Sequence, residues 1–321
     1  NIAIGYDALG GSVAGGEKNV VIGNYAGDAI TSADNTVLLG YEAGSSITSS
    51  TDSIGIGYQA GMTMGNQTIA IGSLSASIGT GWRNVMIGYG AGKRTTDHDN
   101  VVIGWEAGDD GTAYGQSVFI GSHAGKRWGI GDKNVAIGYG SGGQQDAASG
   151  NDAQYNTVIG HGSGDNVTDG DYNVFLGQSS GDNITTGSNN VVIGAADVPS
   201  ATGDDQLSIS SGDGGVTWIT GDSNGGIASK AQVVAVSSTT TLTLAQSGSY
   251  VFWTNGALTL PADGTVGTQY TIFNNTGGSA TVQLNASNCS IVSGWPSVTA
   301  TGDHEAVTFV CVSANNWVQI G

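Results

Sequence analysis

The chain has 321 residues, of which 56 are Gly, ~17 % against an average near 7 %, and its 8 Lys+Arg face 26 Asp+Glu for a net charge of -18. Three Pro and no Gly-x-y period exclude collagen, 38 % apolar residues exclude a disordered chain, and two Cys exclude a disulfide framework or a four-cysteine zinc site. The acidic balance speaks against nucleic acid as a partner, and no apolar run approaches the ~18 residues of a membrane span. The start, Asn1-Ile2-Ala3-Ile4-Gly5, has neither an initiator Met nor a signal peptide and reads as a fragment or processed product.

From residue 1 to 199 one segment recurs, exemplified by Asn19-Val20-Val21-Ile22-Gly23. Its glycine stands at 5, 23, 40, 57, 72, 88, 104, 121, 138, 160, 177 and 194, spaced by 15 to 18 residues with one gap of 22. One residue before it are ten Ile and two Leu, and three before are Val or Ile except at Thr157. Four before, every residue is Asn, Ser or Thr. Three after it stand Ala or Ser until Asp197, and four after it Gly in nine copies. Short β-branched segments are strands, and glycine at fixed places marks turns. The expected fold is therefore all-β: a parallel β-roll or β-solenoid shaft of about twelve coils, with room for two short strands per coil.

Strand side chains alternate, so the columns one and three before the glycine share a face. They are expected to form the coil core, with Ile22, Leu39, Ile56, Ile71, Ile87, Ile103, Ile120, Ile137, Ile159, Leu176 and Ile193 as its spine. The column between them contains no polar residue. Facing outward, it would be an apolar stripe that soluble proteins avoid exposing. It is expected to lie against other copies of the chain in a parallel homo-oligomer, through Val21, Leu38, Met86, Val102, Phe119, Val158, Phe175 and Val192. The Asn column can bond along the stack or cap a turn.

The pattern stops near Pro199. Residues 200–229 read as a transition with strands at Gln206–Ser210 and Val216–Thr220. From 230 to 321, strand-like segments at 233–236, 240–244, 249–253, 258–260, 269–274, 280–284, 290–292, 306–312 and 317–320 alternate with turn residues. This spacing predicts a β-sandwich, jelly-roll-like.

Candidate chemistry is sparse. His98, His123, His161 and His304 share no motif. The oxygen-rich stretch Gly164–Asp171 invites calcium but matches no calcium-loop pattern, so neither a metal site nor a cofactor is assigned, and no catalytic residue is named. Tyr6, Tyr41, Tyr58, Tyr89, Trp105 and Tyr139 follow the repeat glycine and should form an aromatic ladder, as packing along a seam or as a glycan-stacking track. In the last region Trp295, Trp253, Tyr250 and Tyr270 are the candidate receptor contacts, Trp295 foremost, because Gly294-Trp295-Pro296-Ser297 reads as an exposed loop. Cys289 and Cys311 flank or occupy strands and are expected to be buried thiols.

The copies Asn134-Val135-Ala136-Ile137-Gly138-Tyr139 and Asn84-Val85-Met86-Ile87-Gly88-Tyr89 resemble the YadA-like head repeats of trimeric autotransporter adhesins, and still more the related repeats of bacteriophage tail fibres. The resemblance covers residues 1 to about 197, and the longer coils favour the fibre. It implies a left-handed roll, an intertwined homotrimer with two identical partner chains, and a place in the virion. Leu258-Thr259-Leu260-Pro261, Tyr270-Thr271-Ile272 and Val307–Cys311 are similar to small β-domains near the ends of phage structural proteins, which implies a fibre tip binding a host cell-surface polysaccharide or protein. A bacterial cell-surface or extracellular adhesin with the same repeat is the alternative, and a polysaccharide-cleaving tailspike a third. The expectation is a non-enzymatic fibre with no nucleic-acid partner and no membrane insertion.

Overall fold

The structure is a computed structural model describing residues 1–11, 16–109, 111, 114–126, 131–143, 152–229, 233–238, 240–242, 248–254, 258–260, 268–274, 280–284, 290–291, 298–300, 306–313 and 316–319. These residues form strands and turns and no helix. The chain divides into two compact units, Asn1–Ser229 and Lys230–Gly321.

The first unit is a parallel β-solenoid. Each repeat contributes one three-residue strand: β1 (Ile2–Ile4), β2 (Val20–Ile22), β3 (Val37–Leu39), β4 (Ile54–Ile56), β5 (Ile69–Ile71) and β6 (Val85–Ile87). Then follow β7 (Val101–Ile103), β8 (Val118–Ile120), β9 (Val135–Ile137), β10 (Thr157–Ile159), β11 (Val174–Leu176) and β12 (Val191–Ile193). Each pairs in parallel with the next, equivalent residues opposite one another, as in Val101↔Val118 and Ile103↔Ile120. A further strand, β13 (Leu207–Ser210), pairs in parallel with β12 and makes a thirteenth turn inside the stretch read as a transition. Only then does the direction reverse, through β14 (Thr217–Gly221) and β15 (Ile227–Ser229), both antiparallel. Among the described residues the expected second strand per coil is not formed. The far side is a run of turns bonded coil to coil, for example Gly27 N–H to the Ala43 carbonyl at 2.9 Å.

The two faces of the sheet are the reverse of the expected ones. The middle residue of each strand from β2 to β12 points inward, with Val21, Leu38, Val102, Phe119, Val158, Phe175 and Val192 fully buried within a single chain and Met86 1 % exposed. These are core residues, not an interface. The supposed spine, Ile22, Leu39, Ile56, Ile71, Ile87, Ile103, Ile120, Ile137, Ile159, Leu176 and Ile193, lies on the outward face, half-buried or exposed. The physical reason is volume. The inward position varies from Gly55 to Phe119, and neighbouring residues of the turn complement it: Ala26, Ala43 and Ala60 three residues after the glycine, and Ile30, Ile47, Met64, Val167 and Ile184 seven after it, all buried. Close-packed interiors tolerate such compensated variation. At Phe119 the compensation is aromatic, with the buried Tyr114 ring 4.9 Å away.

The Asn column shares the inward face and is buried from Asn19 onward. Asn156 Oδ1 accepts the Asn173 backbone N–H at 2.9 Å, its amide donates to the Gly170 carbonyl at 2.9 Å, and its own N–H donates to Asn134 Oδ1 at 2.9 Å. The same bond runs from Asn190 N–H to Asn173 Oδ1. Buried amides in a continuous ladder satisfy one another and pin the register. A second acceptor column lies two residues earlier, where Asp34, Asp132, Asp171 and Asp204 accept N–H groups from the coil before, at 2.6 to 2.7 Å. Part of the acidic excess is thus spent on coil stacking. The repeat glycine permits the closest approach: at Gly104 φ is +141°, and a Cβ would stand 2.3 Å from the Gly121 carbonyl oxygen.

The second unit alternates between two sheets. One contains β16 (Val233–Val236), β18 (Ser249–Trp253), β20 (Gln269–Asn274), β24 (Ala306–Ser313), β25 (Asn316–Gln319) and β22 (Ser290–Ile291), in that spatial order. The other contains β17 (Thr240–Thr241), β19 (Leu258–Leu260), β21 (Ala280–Leu284) and β23 (Val298–Ala300). The first three strands of each sheet pair in parallel. Such pairing is not that of a jelly roll, whose strands run antiparallel. It comes from the chain crossing to the other sheet after each strand, as in a two-sheet coil. Antiparallel β23, β24 and β25 follow.

Candidate functional site

A single chain leaves the outward face of the solenoid sheet uncovered. Two residues of every strand stand there, almost all Val, Ile or Leu, and Ile4 and Leu39 are 59 % and 43 % exposed. At a strand spacing of ~4.8 Å, twelve strands make an apolar band ~58 Å long. A contiguous apolar stripe of this kind is the surface that soluble monomers avoid leaving in water.

Along one edge of this band runs the aromatic ladder. Tyr41 and Tyr58 stack at 5.6 Å with planes 7° apart, and Tyr89 and Trp105 at 4.6 Å and 22°. Two further rings join the ladder: His161 occupies the same column, after Gly160, and stacks on Tyr139 at 5.2 Å, while Tyr25, one residue beyond the column, bridges Tyr6 and Tyr41 edge-on. In the stacked pairs each ring covers one face of its neighbour, the contact of a packing ladder. The other edge carries residues five and six before the glycine. There Tyr155 and Tyr172 stack at 4.6 Å, Lys133 lies over Tyr155, and Arg83 lies over Trp82.

Charged groups near these edges tie coils together. Arg83 grips Asp99 through two nitrogens at 2.6 and 2.7 Å, which lowers the pKa of Asp99 and raises that of Arg83. Glu106 accepts Lys126 Nζ at 2.5 Å and lies 3.3 Å from His123 Nε2, and the Lys126 hydrogen bond holds its carboxyl below the usual range. Ser122 Oγ is 3.2 Å from His123 Nδ1, so a serine, a histidine and a carboxylate fall in line. Lys126 already holds the carboxylate, and the set works as a link between adjacent coils.

At the last coils, Asp182 and Asp197 border an open pocket of about 420 Å³ with Ser179, Ala195, Ala196, Gly214 and Thr217. Burial first, then a hydrogen bond with Asp197 and the charges of Asp197 and Asp165, push Asp182 up to about 6. The calcium candidate does not close into a cage: Asp171 bonds the Gln154 N–H and Thr168 the Thr185 carbonyl. Among the described residues, no group of three or more His, Cys, Asp or Glu is placed to hold a metal ion, and no helix is long and apolar enough to cross a membrane.

In the second unit the structure separates the candidate contacts. Tyr270 is fully buried with Val251, Ile272 and Cys311 and is a core residue, because alternation on β20 turns it to the inner face. Tyr250 is exposed. Beside it lie two residues that sequence reasoning passed over: Phe252, exposed, and Phe273, half-buried, with rings 4.9 Å apart and planes 9° apart. The alternation Tyr250-Val251-Phe252 was the available signal. Trp295, Cys289 and His304 lie outside the described residues, as does the side chain of Trp253. The chain matches no protein-family model, no curated protein and no solved structure.

Proposed function

We propose that this chain is part of a homotrimeric fibre of the kind its repeats resemble in phage tail fibres, a structural shaft whose C-terminal unit adheres to a bacterial surface. The observation that carries the reading is the long apolar band on the outward face of the solenoid, interrupted only by Thr157 among the described strands, with aromatic and charged columns along both edges. A band of this length, repeating at the strand spacing, fits a surface with the same period, and a second copy of the chain has that period. Covering it would bury two columns of β-branched side chains, at ~25 cal/mol per Å² of apolar surface removed from water. The stacked aromatic columns would then close the seams between copies. Identical chains also supply three equivalent adhesive units, so weak contacts add into avidity. The reading assigns the chain to the virion and gives it no catalytic step.

Light scattering in native buffer tests it directly. The expected mass is that of three chains, and Ile87→Asp with Ile103→Asp, both on the outward face, should reduce it to one chain. A wild-type mass of one chain refutes the fibre reading. Release of new reducing ends from host polysaccharide refutes the non-enzymatic one.

A further inference from the structure

We infer that the outer face of β18 and β20 in the C-terminal unit is a binding platform for an uncharged pyranose glycan, formed by Tyr250, Phe252 and Phe273 with Ala235, Thr271 and Thr308. The inference rests on the adhesive reading above and gives it a site and a ligand class.

The register assembles the platform. In β16, β18 and β20, Ala235, Phe252 and Phe273 stand side by side, and Tyr250 stands beside Thr271. Paired residues of parallel neighbours point to the same face, and here the opposite face holds the buried Val251 and Ile272. Phe252 packs one ring face on Phe273, and Tyr250 meets Phe273 edge-on at 5.8 Å. The other side of Phe252 looks across β16, where the neighbour is Ala235, itself exposed. A methyl group leaves that ring face uncovered.

Polar groups adjoin the rings. Thr271 and Thr308 place their hydroxyls 3.0 Å apart on the same face, and Tyr250 pairs with Thr271. From Ala231 to the end the only Lys, Arg, Asp or Glu are Asp263, Asp303 and Glu305. Aromatic faces with hydroxyls and no charge suit a sugar ring, which offers C–H bonds on one side and neutral hydroxyls around its edge. An anionic polymer would find no counter-charge here. Aromatic side chains bury ~150–250 Å² each when fully covered, so three partly exposed rings offer on the order of 250 Å², a size that suits a sugar better than a second copy of the chain. A stable protein interface needs about 800 Å² per partner.

The test is affinity electrophoresis of the full chain through gels containing dextran, mannan or galactan, with polygalacturonate as the anionic comparison. At least one neutral polysaccharide should retard the wild type. Phe252→Ala should weaken that retention at least ten-fold, and Ala235→Leu, which fills the space beside the ring at an exposed position, should do the same. Trp218→Ala, at an exposed ring of the first unit, should leave it unchanged. Circular dichroism of each variant confirms the fold, and Ala235→Leu decides the matter if Phe252→Ala unfolds. No retention by any neutral polysaccharide, retention by polygalacturonate alone, or full retention of Ala235→Leu overturns the proposal. Binding to bacterial cells separates the two readings. Cells bound equally by wild type and Phe252→Ala remove the platform and keep adhesion, whereas retention by a neutral polysaccharide without binding to any cell keeps the platform and removes adhesion.

Discussion

Phe119 and Ile120 are adjacent on β8, both apolar, and point to opposite sides of the sheet, so substituting each in turn tests the face assignment. Phe119 is fully buried, packs on Tyr114, and fills the space beside Gly125, where an added Cβ would stand 2.7 Å from its ring. Truncating a buried Phe to Ala costs ~3–5 kcal/mol, and losing the aromatic pair adds ~0.5–1.5 kcal/mol. In a solenoid each turn is stabilised by its neighbours, so the loss falls on the turns around β8 and splits the stack into two less stable blocks. Phe119→Ala should therefore lower the melting temperature measured by circular dichroism and broaden the transition. Ile120 is half-buried in a single chain, so Ile120→Ser should leave a dissociated chain almost as stable as before and weaken only association, read by concentration-dependent light scattering. The face assignment is refuted if Phe119→Ala melts with the wild type while losing mass, or if Ile120→Ser destabilises the single chain by as much as Phe119→Ala.

Gly104→Ala should abolish soluble expression, because its Cβ meets the backbone of the next coil, which cannot yield as a flexible side chain would; equal yield would show that the coils stack differently. Asn156→Ala removes one rung of the amide ladder and strands the Asn173 N–H and the Gly170 carbonyl, at ~1–3 kcal/mol each, so chemical denaturation should show a loss of several kcal/mol, larger than for the exposed Asn35→Ala. Asp182 has a raised pKa in the folded chain, about 6 against an ordinary 3.8. The folded state therefore holds this proton more tightly than the unfolded one. Its contribution is fully present below pH ~3.8 and is lost as pH rises through about 6. Asp182→Asn should thus flatten the fall in melting temperature between pH 4 and 7, and an unchanged pH profile would count against the shared proton. Glu106 has the opposite sign: with its carboxyl held below the usual range, its stabilisation is present at neutral pH and lost as pH falls through the folded value, and Lys126→Met should remove that acid-side dependence.

The repeat, its strands and its turns were legible because each imposes a local requirement on residue type. β-Branched pairs mark Val101–Ile103, and a glycine must follow where the next coil's carbonyl comes within 2.3 Å of an added Cβ. In the second unit Ser249–Trp253, Leu258–Leu260, Gln269–Asn274 and Ala280–Leu284 could be bounded from the alternation alone, while Val298–Ala300 escaped because its short Val-Thr-Ala run carries no such signal. The aromatic platform was half legible: Tyr250 stood out, but Tyr270 looks equally exposed until its strand's phase is known.

What the sequence alone determined is periodicity, that is, strand, turn and the set of residues sharing a face. It did not determine which face is inside, because a strand whose alternate residues are all apolar has no polar side to mark the solvent. Only the closure of the coil decided that. The turns bring Ala, Ile and Met of the far side against the middle residue of each strand, and the buried Asn ladder sits on that same side. The two flanking columns are left outward, so the apolar surface inferred from composition exists on the opposite face from the one its columns suggested. The parallel pairing of the second unit was likewise a tertiary outcome, since strands at this spacing are equally compatible with antiparallel hairpins until the crossings between sheets fix their direction.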